Sequence, residues 1–514
     1  MRINQLKAGT LLSYTQMVLN VVIGLAYTPV MIRLLGQSEY GLYNTVASTI
    51  SMLSVLSLGF NSGYIRYYAR YKKDGDTQAI SRLNGLFLLI FLVIGLIALA
   101  CGLYLTEHLE LVFKDGLTPQ EYGIAHTLML LLTLNLAISF PMSVFQNIVS
   151  AHEQFVFLKL LAMLKTVVGP LLTLPLLLMG HRSVAMITVT VAVSLVVDIC
   201  YFVFVKFRLK ERFSFTHIEM GLLKSLFGFT AFIALNTIID QINWNIDKVL
   251  LGRFKGTAMV AVYAVGFNLY HYYQMVSTAV SGVFTPRIHT IFNRYRENET
   301  ELRDRFTELF IRVGRIQFLI LGLVASGLVF FGQEFIFYWA GPGYDDAYYV
   351  ALLLVLPASI ALIQNVGIEI QRAQNLHKFR AIVYSVMAVI NLALSIYLCQ
   401  LYGAIGSAVG TAISLVIANG LIMNVYYDRK CHINIPLFWK SILSTLWGMA
   451  IPVYIGCLIM NFCPRTSFWF FALKILVYTL VYAGSVWMLS MNASEKQLFS
   501  GPVRRLLRLR RTNQ

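Results

Sequence analysis

The sequence predicts an all-α membrane protein of about 14 transmembrane helices, arranged as two pseudo-symmetric six-helix lobes followed by two C-terminal helices. Three observations lead there. The 514 residues are 58% hydrophobic and only 13% charged, with a mean hydropathy of +0.68, whereas a soluble domain carries about 25% charged residues. Apolar runs of about 20 residues, the length that crosses roughly 30 Å of hydrocarbon, recur along the whole chain. The pattern of the first half also returns about 220 residues later.

Taken in order, the apolar runs fall at about 9–32, 40–60, 83–106, 124–150, 156–179 and 183–205. They continue at about 222–250, 256–286, 309–338, 347–370, 379–401, 403–427, 438–461 and 467–490. We read them as a lobe over 1–212, a second lobe over 213–430, two further helices within 431–491, and a basic tail over 492–514. The first run carries Tyr14, Gln16 and Asn20 and lacks a short apolar core followed by a small-residue cleavage site, so it reads as a retained span.

The repeat is loose at each position but keeps its order. IRLLGQSEYGLY, Ile32 to Tyr43, parallels DKVLLGRFKGTAMVAVY, Asp247 to Tyr263, and aligns Gly36 with Gly252. Ser62, Gly63 and Arg66 parallel Ser281, Gly282 and Arg287, and each Arg opens a basic segment. Ala151 parallels Ala373, and a turn at Gly180 parallels one at Gly403.

Charge orients the chain, because Lys and Arg of short loops stay cytoplasmic. With the N-terminus inside, about 33 of the 41 Lys and Arg residues lie at the inner face. The net charge of +17 is then a topology signal and calls for no nucleic acid. Six scattered cysteines lack metal-site spacing and read as packing residues without disulfides. No loop exceeds about 30 residues, and no phosphate loop, HExxH or nucleophile elbow is present. The expectation is therefore a non-enzyme with no cofactor.

LLGQSEYGLY followed by LGFNSGYIRYYA, and IDKVLLGRF followed by VAVYAVGF, resemble the oligosaccharide flippase family. These are the Wzx-type polysaccharide transporters of the multidrug/oligosaccharidyl-lipid/polysaccharide exporter superfamily. The resemblance spans essentially the whole chain. It implies a bacterial inner-membrane protein that turns an undecaprenyl-pyrophosphate-linked oligosaccharide from the inner to the outer leaflet by alternating access, coupled to a proton or sodium gradient. Partners on that reading are the lipid-linked oligosaccharide, membrane lipids and polysaccharide assembly proteins. A lipid II flippase, a drug or cation exporter of the same superfamily and, less well supported, a polysaccharide polymerase are the alternatives.

Such a substrate needs a polar passage, since charged and hydroxylated groups lose several kcal/mol each on leaving water. The seventh run supplies a polar stripe: Asn236, Asp240, Asn243 and Asp247 follow a 4, 3, 4 spacing and share one helical face. Asp240 lies about 24 Å from Lys224 and 20 Å from Arg253 along the helix, near mid-membrane. It either lines the path or bonds to a neighbouring helix, and with Asp247 and His271 it is a candidate for ion coupling. Asp247 could alternatively join Lys248 and Arg253 in an interfacial network.

Arg66 and Arg287 are placed to clamp the pyrophosphate with planar, two-pronged donors, or else simply obey the positive-inside rule. Asn44 on the second run, with Ser48 and Ser51, forms a sugar-facing wall or a tight packing seam. Lys165 and Asp198, on consecutive spans, either form a structural ion pair or leave Lys165 to reach the cavity or snorkel to the inner face. Lys474 and Glu334 read as interfacial, and VRRLLRLRR, Val503 to Arg511, as a basic segment lying on anionic lipid.

Overall fold

The computed structural model describes residues 5–114, 117–216, 220–462, 467–497 and 500. The basic segment from Val503 lies outside these. Among the described residues every regular element is helical. In chain order they are α1 (Gln5–Leu35), α2 (Gln37–Met52), α3 (Phe60–Asp74), α4 (Thr77–Glu107), α5 (Pro119–Ala151), α6 (Phe155–Leu178) and α7 (Ser183–Val203). There follow α8 (Met220–Phe254), α9 (Thr257–Gly282), α10 (Thr285–Tyr295), α11 (Glu299–Ala340), α12 (Asp346–Ile363), α13 (Val366–Ala373) and α14 (His377–Leu415). The last four are α15 (Met423–Lys430), α16 (Ile435–Leu443), α17 (Ala450–Phe462) and α18 (Phe468–Leu489).

Eleven helical stretches among the described residues are long and apolar enough to cross a membrane. One of them, His377–Lys430, has 54 residues and bends at Gly403. Helices α8 and α9, of 35 and 26 residues, also have spanning length. Their surfaces are those of elements solvated by lipid. In the apolar stretch of α6 only 6% of residues are buried, and Leu171 and Leu178 are exposed. A water-soluble chain does not present whole helices of this kind.

The chain forms two compact units, one of Met1–Val265 with Tyr384–Thr411, the other of Gly266–Val383 with Ala412–Gln514. In the first unit, α4 packs along α5, α1 along α6, and α5 along α7. Its core holds Phe60, Tyr64, Phe87 and Phe91 in edge-on contacts. Helix α2 lies against α8, where a Cβ on Gly252 would sit 2.7 Å from Thr45, and against the start of α9, where one on Gly41 would sit 1.7 Å from the Thr257 carbonyl oxygen. In the second unit α11 is the spine, contacting α12, α16 and α18.

The backbone repeats as the sequence does, with one correction. Ala151 ends α5 and Ala373 ends α13, and two residues on, Glu153 and Asn375 both take left-handed φ, 58° and 60°. Gly180 and Gly403 both have positive φ. Gly36 turns the chain at φ 79°, but its counterpart is Gly256 at φ 84°, since Gly252 is helical and serves the contact with α2. At Gly403 α14 folds into a hairpin: a Cβ on Gly406 would lie 2.0 Å from the Leu398 carbonyl oxygen, so the two arms touch through glycine.

Candidate functional site

Asp247 is the centre of the best-defined polar site. It stands near the end of α8 at 3% exposure. Oδ1 accepts from Ser407 Oγ at 2.6 Å, and Oδ2 accepts from the Tyr263 hydroxyl at 2.7 Å and Thr411 Oγ1 at 3.1 Å. Thr411 also reaches Asn391 Oδ1 at 3.3 Å, and Ser395 reaches the same oxygen at 3.3 Å. The hairpin at Gly403 makes this possible, because Asn391 and Ser395 come from one arm and Ser407 and Thr411 from the other. A Cβ on Gly410 would meet Ser395 Oγ at 3.0 Å.

The donor set is oxygen only: one carboxylate, four hydroxyls and an amide oxygen. A hydroxyl can donate to the carboxylate or turn a lone pair towards a cation. The cage can therefore keep a buried anion satisfied, or take a proton or a small hard cation in its place. Asp247 is thus held by hydroxyls beside the charge of Lys248, and the Arg253 guanidinium donates to the Leu111 carbonyl oxygen. The sequence could not foresee this, because the hydroxyls lie up to 164 residues away.

The other stripe residues share the α8 face but not the enclosure. Asn236 and Asn243 are half-buried and Asp240 is exposed. The face thus runs from an open stretch at Asp240 to a closed one at Asp247. Beside it, Gln241 donates to Ser54 Oγ at 2.9 Å and Asn245 to Gln241 Oε1 at 2.5 Å. Both belong to the polar surface of α8 and were missed by the 4, 3, 4 spacing.

Asn44, half-buried on α2, donates to the Tyr40 carbonyl oxygen at 2.8 Å. Arg66 is exposed on α3 in the first unit, and Arg287 is exposed on α10 in the second. His271 is exposed on α9, its ring centroid 6.5 Å from that of Tyr272. Lys165 on α6 is exposed and Asp198 on α7 half-buried; each feels the other's charge, but no ion pair joins them.

Among the described residues a buried ion pair forms elsewhere. Lys474 Nζ lies 3.0 Å from Glu334 Oε2, with the two side chains 5% and 12% exposed, so these residues are buried partners. A second buried network joins Arg315 to Glu495 at 2.6 Å and to the carbonyl oxygens of Ser441 and Ser490. In the first unit, Glu211 accepts from His152 Nε2 at 2.7 Å and from Asn84 Nδ2 at 3.1 Å. Burial pushes the Glu211 carboxyl up, but the bond and charge of His152, with Asn84 and Tyr68, outweigh this and hold it below the ordinary range.

A helical bundle dressed in apolar side chains, eleven stretches of which among the described residues could cross a bilayer, defines the class: a multi-pass membrane protein. Residues 30–347 match the family described as Polysaccharide biosynthesis protein, and the chain belongs to it.

A Shigella flexneri protein described as an O-antigen transporter is 21% identical over 415 residues, covering 78% of this chain and 92% of that protein. The membrane protein EpsK of Bacillus subtilis (strain 168) is 23% identical over 499 residues, covering 94% and 95%. Among solved structures, the lipid II flippase MurJ in an inward closed conformation aligns with a TM-score of 0.67 at 15% identity, covering 96% of this chain and 99% of that one. An inward-facing multidrug resistance MATE family transporter aligns with a TM-score of 0.59 at 14% identity, covering 82% and 99%. These likenesses show the fold.

Proposed function

We propose that the protein is a flippase that moves an undecaprenyl-pyrophosphate-linked oligosaccharide from the inner to the outer leaflet of a bacterial cytoplasmic membrane. It does so by alternating access of lobes 1–212 and 213–430, in fourteen crossings with both termini cytoplasmic. The observation that carries the reading is the Asp247 cage, an ionisable group enclosed by hydroxyls within a chain of this family. Enclosed carboxylates at membrane depth mark ion pathways.

No bond in the substrate is broken. The lipid tail stays in hydrocarbon while the head group needs a polar route, for which Asn44, Asn236 and Asn243 supply neutral hydrogen-bonding groups. Arg66 and Arg287 offer bidentate donors to the pyrophosphate. Asp247 takes the coupling proton or sodium ion, with Asp240, the carrier favoured from the sequence, and His271 as the further ion-coupling candidates. An ion can drive a conformational change only through its differential affinity for the two states. Asp247 and the α14 hairpin lie in one compact unit, so on this reading the ion acts through a change in the packing of α14 on α8 within that unit, which would dismantle the cage.

Reconstitution into liposomes with defined undecaprenyl-linked oligosaccharides, with and without imposed proton and sodium gradients, tests the reading. Wild-type protein is expected to move polysaccharide repeat units faster under one gradient. Asp247→Asn is expected to remove the gradient dependence while keeping abundance. Movement of lipid II alone would assign the protein to that alternative. Gradient-dependent turnover at the wild-type rate in Asp247→Asn would reject the coupling role.

A further inference from the structure

A cavity of about 580 Å³ opens at the membrane end of the first unit, where the start of α4 meets the segment that follows α7. It lies within the range of about 300–1,000 Å³ usual for small-ligand sites. Arg82, Lys210 and Arg212 line it, with the hydroxyls of Ser81, Ser214 and Thr216. Glu211 lines it too, but its carboxylate is occupied, Oε1 by His152 and Oε2 by Asn84. Asp76 is committed as the cap of α4, accepting from the Ala79 N–H at 2.8 Å. Among the described residues neither Lys210 nor Arg212 has a carboxylate partner.

The segment that carries these cations is tied down. The Ser214 N–H donates to the Ser81 carbonyl oxygen at 2.9 Å, and Asn84 donates to the Arg212 carbonyl oxygen at 3.1 Å. Gly85 admits the contact, for a Cβ there would lie 2.0 Å from the Ser214 carbonyl oxygen. Lys210 holds a left-handed φ of 55°, which turns the chain out of the preceding helix. Two large apolar side chains stand exposed on the same stretch: Phe207 at 67%, and Phe215, set between the lining residues Ser214 and Thr216, at 54%.

We propose that this cavity binds the phosphate of an anionic lipid head group, gripped by Lys210 and Arg212, with Arg82 adding its charge to the lining; Ser81 donates to the Thr77 carbonyl oxygen at 3.0 Å and Ser214 and Thr216 bond each other at 2.9 Å. The chemistry is that of any phosphate monoester or diester. The exposed phenyl rings, at the end of the spanning stretch Ser183–Leu209, favour a phosphate carried on acyl chains over a free one. The site is separate from the Asp247 cage and from Arg66 and Arg287, and it holds a resident lipid, not the transported one.

The full-length protein in detergent micelles, titrated with phosphatidylglycerol or phosphatidylcholine and read by native mass spectrometry, tests this. A bound phosphatidylglycerol is expected, without an equivalent phosphatidylcholine species. Lys210→Asn with Arg212→Gln, Asn being tolerated at positive φ, is expected to weaken binding roughly 30-fold, two cations at a lipid surface being removed. Lys72→Gln with Lys73→Gln, an equal loss of charge on α3, is expected to leave it unchanged. Gly85→Ala, which displaces the segment with every charge in place, is expected to weaken it as well. Undiminished binding in the Lys210/Arg212 variant, or an equal loss in the Lys72/Lys73 variant, overturns the site. Displacement of the lipid by millimolar inorganic phosphate or glycerol phosphate overturns its assignment to a lipid.

Discussion

At the scale of single residues, pairing across helices governs what a charge does. Lys474 and Glu334 are 140 positions apart and meet at 3.0 Å in a buried contact. Removing one partner of such a pair leaves an uncompensated buried charge and costs about 3–5 kcal/mol, whereas replacing both is often nearly neutral. Lys474→Met is therefore expected to lower thermal stability in detergent sharply, and adding Glu334→Gln to recover most of the loss; the midpoints of the two variants and the wild type measure this. Glu211 gives a pH signature. Its carboxyl lies below the ordinary range when folded, so its stabilisation is complete above about pH 4.3 and is lost as pH falls through the lowered native value. Glu211→Gln is expected to flatten the acid side of the stability profile between pH 3 and 5 and leave its neutral slope unchanged. Of the candidate residues, the stripe on α8 was legible because helical spacing is local. The Asp247 cage was not, since its hydroxyls arrive from α9 and from both arms of α14.

Glycine decides how closely the helices approach. Gly41 and Gly252 let α2, α8 and α9 come together with backbone almost in contact, which no apolar count reveals. Gly41→Ala would place a Cβ 1.7 Å from the Thr257 carbonyl oxygen and is expected to cost about 1–3 kcal/mol or more as the helices are forced apart. Gly123→Ala meets nothing within 4 Å on helix α5 and is expected to be neutral or stabilising by about 0.5–1 kcal/mol. Thermal midpoints of the two variants separate the effects. The repeat was legible at this scale through its turns. The pairs Ala151 with Ala373 and Gly180 with Gly403 are reproduced in the backbone, while Gly36 with Gly252 is not: what recurs is a left-handed turn, and its residue is Gly256.

Over the whole molecule, hydropathy and charge carry most of the information. The excess of Lys and Arg predicts that the α3–α4 connection faces the cytoplasm and the α6–α7 connection the outside. Single cysteines at Lys73 and His181, in a background lacking the native thiols, are expected to react with a membrane-impermeant maleimide only from the inner and only from the outer side of oriented vesicles, respectively. The reverse labelling would invert the topology and, with it, the direction of transport. The all-helical membrane class and the family follow from the sequence alone, because a bilayer requires every spanning segment to be apolar and internally hydrogen-bonded wherever it stands; the count of fourteen does not, eleven stretches among the described residues meeting the length and hydropathy of a span. Only the tertiary structure decided which buried charges meet, which stretch of the α8 face is closed and where the phosphate-sized cavity lies. Each of these depends on side chains from helices far apart in the chain, whose mutual rotation is set by close packing at positions such as Gly41, Gly85 and Gly406 and not by any periodicity within one helix.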